Sequence, residues 1–427
     1  MHFALVGLLA LLAPQEEAAP SPLAAGPFVG AADPDSIRLW ARARAPGRYE
    51  LRVREADGDE GPPHWAEANE ANDLTLHWRI EGLRAAKAPL HLRIVEDGVE
   101  LAFEAPSLAP AIDDASLRAR IAFGSCADER RAPRLPVFDA IAASAPDALV
   151  LLGDTPYIDS TRLDVQRRRR AEFVAHPSIA ACLRRVSTYA TWDDHDFAMN
   201  DRFGEVDGRE HSRRAFLENH ALESYGHADQ GVYTRFRRGP LEVFVLDTRW
   251  FADEDPCPFE PSKRSLLGAR QLAWLQDGLR RSTAPFKVLA CGMVWNGAVR
   301  PGKLDCFAHW SHERDGLLRW LGEARIGGVV LVGGDLHVTR LIRHRSEELC
   351  GYGILECVTS PLSQSVIPAN AGAIDGVLFD AQPDSSFLRI DAERTDDGAT
   401  LALRFLDAAG AELFAHECTA AELRGDW

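Results

Sequence analysis

No apolar stretch in this 427-residue chain reaches the roughly 20 residues a helix needs to span a bilayer, so no stable membrane span is expected. Cys-x-x-Cys spacing is missing too. The eight cysteines, at 126, 182, 257, 291, 306, 350, 357 and 418, are scattered, which argues against a structural zinc site. Positive charge is in deficit: 48 Lys and Arg stand against 64 Asp and Glu, a formal net charge of −16. That sign is wrong for specific nucleic-acid binding, which needs a net basic face. It does not exclude a small phosphate in one cleft. Internal repeats and low-complexity tracts are absent as well, and 46% hydrophobic with 26% charged residues is an ordinary globular balance.

What is present begins with an apolar run at residues 3–13 (FALVGLLALLA), then Pro14 and a tract of small residues. This reads as a signal peptide over 1–25, cleaved near 18–25, on a protein exported to the periplasm or beyond. It holds no twin arginine, and no Lys or Arg precedes the run. In an exported chain some cysteines are free to pair; Cys257 with Cys306, both in loop-like surroundings, is the pair to test first.

Residues 26–108 alternate apolar and polar positions in short segments such as SIRLWARA and LTLHWRI, separated by Gly, Pro and Asp. Period two with such turns predicts a small antiparallel β-sandwich. An Ala-, Pro- and Asp-rich linker follows at 105–116. Over 117–418 near-continuous apolar strands alternate with helical stretches, which predicts a layered α/β domain whose strands are covered on both faces.

The chemistry-bearing side chains fall at strand ends, where α/β sheets bind their ligands. Cys126 ends ARIAFGSC, Asp154 ends DALVLLGD, and Asp194 and His195 end VSTYATWDDH. Asp247 ends LEVFVLD, and Asp335 with His337 ends GGVVLVGGDLH. Any one of these has a plain structural reading, such as a buried thiol or a helix cap. Five in succession point to one rim. Within 193–196, three carboxylates surround one imidazole and repel unless a cation neutralises them.

These segments, together with GPFVGAADPDSIRLWARA, LLGDTPYID, TWDDHD, FVLDTRWF, ARQLAWL and VTSPL, resemble the alkaline phosphatase D (PhoD-like) branch of the calcineurin-like metallophosphoesterases. The resemblance implies a four-layer αββα sandwich behind the N-terminal β-sandwich, and a centre of two or three metal ions. It places Cys126 and Tyr157 on one metal and makes Asp154 a bridge. Asp335 and His337 complete the centre, with Asp194 and Asn200 on the second-metal side. It implies iron(III) with calcium, zinc or manganese being alternatives; a thiolate with a phenolate favours trivalent iron over magnesium or calcium. The reaction implied is hydrolysis of a phosphate mono- or diester by a hydroxide formed between cations. In that reaction His195 is the candidate general acid and Arg249 a candidate fork for a phosphate oxygen.

Asp305, His309 and Trp310 stand where the family has another motif and are expected to shape substrate choice, while His309 and His312 are read as the solvated start of a helix. The run Arg167–Arg170 is read as a solvent-facing stripe or a basic rim. The other class of reading is a non-catalytic secreted binding protein on the same fold. Oligomeric state is not readable.

Overall fold

The computed structural model describes residues 21–55, 58–83, 91–96, 99–104 and 117–427. The apolar run at 3–13 and the expected linker at 105–116 lie outside the described residues. The expected cleavage region at 18–25 runs into the strand Leu23–Asp33, which opens at Leu23.

Two antiparallel sheets form the N-terminal part. One orders Leu23–Asp33, Ser36–Ala43 and Thr75–Glu81; the other orders His64–Ala68, Gly47–Arg54, His91–Glu96 and Val99–Glu104. The alternation in SIRLWARA explains how they pack. Ile37, Leu39 and Ala41 point into a core shared with Leu51, Val53, Leu92 and Ile94 of the other sheet. Trp40, on the opposite face, joins the core of the larger domain, with Phe28 stacked on it. Its indole Nε1 donates to the Glu218 carbonyl at 2.8 Å. The three-stranded sheet is therefore buried on both faces, and its outer face is the docking surface. Gly30 is required there, because a Cβ would collide with the Ala221 carbonyl.

The larger part holds two mixed sheets. The first orders Thr188–Thr191, Ala148–Leu152, Arg118–Gly124, Ser386–Thr395, Gly398–Asp407 and Glu412–Thr419. The second orders Thr234–Arg238, Leu241–Val245, Phe286–Ala290, Val329–Gly333, Leu355–Thr359, Thr339–Arg343 and Val377–Ala381. Central strands Ala148–Leu152 and Val329–Gly333 are buried at every residue, as uniformly apolar sequence requires, and Leu241–Val245 is buried throughout with Glu242 among its residues. Buried side chains of both sheets belong to one core. The parallel strands of each sheet direct their carboxyl ends to loops that meet between the sheets, and the site lies there.

All eight cysteines are free and buried, so Cys257 and Cys306, the pair singled out to test first, are not bridged. Among the described residues no helix is long and apolar enough to cross a membrane.

Candidate metal centre

Loops after Arg118–Gly124, Ala148–Leu152 and Thr188–Thr191 of the first sheet bring in Cys126, Asp154 with Tyr157, and Asp194 with His195. The loop after Val329–Gly333 of the second sheet brings in Asp335 and His337. Four of these side chains hang from left-handed backbone: φ is +59° at Cys126, +52° at Asp154, +66° at Asp335 and +56° at His337. Such conformations cost free energy in non-glycine residues and concentrate at functional sites. The Gly-Asp turn needs its glycine. Gly153 has φ +98°, and a Cβ on it would strike the Asp193 backbone.

Cys126 Sγ lies 3.7 Å from Asp154 Oδ2, and Tyr157 Oη lies 2.9 Å from His337 Nε2. His337 Nδ1 donates to the Ser365 carbonyl at 2.6 Å, which leaves the lone pair of Nε2 facing the site. Burial pushes this imidazole down to about 4, holding it neutral as a metal ligand must be. Ligand atoms fall within 4.8 Å of one another in three groups: Cys126, Asp154 and His337; Asp154, Asp194 and His195; Asp194, Asp201 and Asp305. Asp154 and Asp194 each belong to two groups, so the three form a continuous row.

The charges do not balance at the thiol end. Burial, and then the Asp154 carboxylate, raise the Cys126 thiol well above its usual range. Burial and then Asp194 do the same to Asp154, and burial and then Cys126 to Tyr157. Burial brings Asp335 to about 7 despite Lys303. Each shift disfavours an anion, and a bound cation reverses all of them at once. Thiol, phenol, outward imidazole nitrogen and carboxylate within reach of one point make a donor set that fits a metal ion.

Other expected members take different places. Asn200 is exposed, and its neighbour Asp201 joins the row instead. Arg249 is fully buried, and its fork is taken by Asp193 and Asp305, so it is not the phosphate grip expected of an arginine beyond a strand. Asp247 turns inward, accepting from Trp192 Nε1 at 2.8 Å and from the backbone amides of Val232, Arg249 and Trp250. Asp196 accepts from the Asp154 and Asp193 amides and fixes the two metal loops together.

His195 Nδ1 lies 2.6 Å from Asp159 Oδ1. Burial lowers its pKa, but Asp159 and Asp194 outweigh that and the net direction is upward. Asp305 enters the site, whereas Trp310 is buried against Asp253, His309 is exposed, and His312 bonds the Arg264 carbonyl. The arginine run is mostly buried. Arg169 holds the Tyr157 carbonyl and Glu129, Arg170 reaches the Asp196 carbonyl, Arg167 pairs with Glu218, and only Arg168 is exposed.

Lys303, Asp201, Asp159 and Ser365 had no sequence signal. Asp159 and Ser365 follow strands but lie several residues past their ends, and Asp201 and Lys303 lie in longer loops.

The sequence profile of the PhoD-like phosphatases matches residues 121–395. Alkaline phosphatase D of Bacillus subtilis is 26% identical over 203 residues, a match covering 40% of this chain and 35% of that protein. The chain thus aligns to about a third of that relative's length. In three dimensions the solved structure of PhoD is similar with a TM-score of 0.74 at 17% identity, covering 95% of this chain and 90% of the other. A purple acid phosphatase from yellow lupin (Lupinus luteus) seeds follows with a TM-score of 0.67 at 10% identity, covering 92% and 74%. At those identities the likeness is one of fold.

Proposed function

The chain belongs to the PhoD-like phosphatase family, and from that premise we propose that it hydrolyses phosphate esters with metal ions held by Cys126, Asp154, Tyr157, Asp194, Asp335 and His337. The observation that carries this reading is the pinned imidazole. His337 gives its Nδ1 proton to Ser365 and turns Nε2 to Tyr157 Oη beside a thiol and a carboxylate. When bound, the metals would supply an ionised water near neutral pH and positive charge on the phosphate oxygens. The thiol and phenol suit iron(III) at one end, and the carboxylates beyond suit a calcium-like ion, with zinc or manganese as substitutes.

The chain's own groups do the rest. His195, oriented through Nδ1 by Asp159, is the proposed donor of a proton to the leaving oxygen from its other nitrogen. Asp196 and Arg169 hold the backbones of Asp154 and Tyr157, so neither ligand swings when substrate enters. Asn200 and Arg249 are left out of this assignment.

Three further points belong to the same reading. The two large sheets with their flanking helices are read as the αββα sandwich, and the N-terminal sheets as a β-sandwich in front of it. Export by a non-twin-arginine signal remains the proposed route. Monoester and diester are both admitted as substrates.

The test is hydrolysis of a nitrophenyl phosphate monoester and diester by metal-analysed protein, beside its Asp154→Asn variant. Cleavage of at least one ester, abolished by chelation and by the substitution, supports the proposal. No cleavage of either by metal-replete protein sinks it.

A further inference from the structure

Lys303 lies in the loop between Phe286–Ala290 and Ser311–Glu323, and its side chain is 4% exposed. Its ammonium sits 3.1 Å from Asp201, 3.3 Å from Asp305 and 3.1 Å from Asp335 Oδ2. A buried ammonium is costly unless it is paired and bonded on all sides, and this one meets three carboxylates. Two of them, Asp201 and Asp305, are also two of the three members of the last group in the row. Asp335 Oδ2, a buried oxygen with no hydrogen bond of its own, has only this ionic contact.

The row therefore offers three places for positive charge, joined through Asp154 and Asp194, and the chain itself fills the third. Oxygen-only carboxylate sets are what calcium takes, at about 2.3–2.6 Å. An ammonium held by the same carboxylates and a divalent ion compete for that space, because their like charges repel at close range. Lysine suits the task as a compact point charge on a flexible stem, with three donors for three acceptors. Arg249 closes the other side, since Asp305 is gripped by both cations and is thereby held below the usual carboxylate range against the effect of burial.

We infer that Lys303 is a built-in counter-ion that occupies the third cation place, so that this chain's centre takes two metal ions and not three. The inference rests on the metal reading above and specifies its stoichiometry.

It is tested by counting ions on the whole protein, by elemental analysis after equilibration with iron and excess calcium, with thermal melting beside it. Wild type is expected to hold two ions per chain, and Lys303→Arg likewise. Lys303→Met should gain one calcium, melt lower than wild type without calcium and recover when calcium is added. A third ion in wild type overturns the inference, and so does a folded Lys303→Met that holds two ions and ignores calcium. Should Lys303→Met not fold, the wild-type count under calcium excess decides alone. No ion in any of the proteins sinks the metal reading itself, a different failure from a third ion in wild type.

Discussion

His337 Nε2 and Tyr157 Oη face each other at 2.9 Å from loops that belong to different sheets, Tyr157 following Ala148–Leu152 and His337 following Val329–Gly333. A metal bound by both, as proposed, would tie the two sheets together.

Tyr157→Phe would remove one proposed ligand without changing the ring's packing against His195. Losing an outer partner of a metal ligand costs about 10–100-fold in affinity, and losing a ligand should cost at least that. The variant should retain less iron and lose the visible absorption that a ferric phenolate gives. Colour and metal content equal to wild type would remove Tyr157 from the centre.

Proton donation by His195 matters most when the leaving oxygen is a poor leaving group. His195→Ala should slow turnover of an alkyl phosphate by about 10²–10⁴-fold, and that of a nitrophenyl ester much less. Steady-state kinetics on both esters check this. Equal losses would mean that His195 positions the site and is not the acid.

Arg249→Met leaves Asp193 buried without its partner and Asp305 with Lys303 alone. Breaking a buried ion pair by removing one member costs about 3–5 kcal/mol, so the variant should melt clearly lower or fail to fold. A phosphate-gripping arginine would behave otherwise, with KM rising and the melting temperature unchanged.

His220 gives a pH dependence away from the centre. Burial, and then Arg170, push its pKa down to about 3, and Nδ1 donates to the Phe216 carbonyl. Its unfolded value is about 6.5. Between those values the unfolded chain binds a proton that the native chain refuses, so this residue makes stability fall as pH drops from about 6.5 toward 3. His220→Gln should lose that dependence, and its stability relative to wild type should improve steadily on acidification. Denaturant unfolding at several pH values measures it, and a constant difference would contradict it.

The parts of the site that could be read beforehand are those where local pattern and position coincide. Asp154 and Asp335 follow glycine at the end of wholly apolar strands; Asp154 joins two of the ligand groups, and Asp335 reaches the site through Lys303. Asp247 also follows a strand end, though without the glycine, yet it points inward to cap amides and an indole that only the folded chain brings near. Arg169 and Arg170 looked solvent-facing because a charge run usually is; they are buried because the loops carrying Tyr157 and Asp196 need donors for their carbonyls. Lys303 was invisible because two of its three partners, Asp201 and Asp335, are far away in the chain. Strand alternation located Ser36–Ala43 to the residue, whereas Leu23–Asp33 was hidden by its likeness to a cleavage tract.

Anomalous diffraction from crystals of the metal-loaded protein tests the centre most directly. The predicted result is a peak about 2.0–2.6 Å from Cys126 Sγ, Tyr157 Oη, His337 Nε2 and an Asp154 oxygen. A well-ordered site with no peak there, or a metal held by other residues, would contradict it.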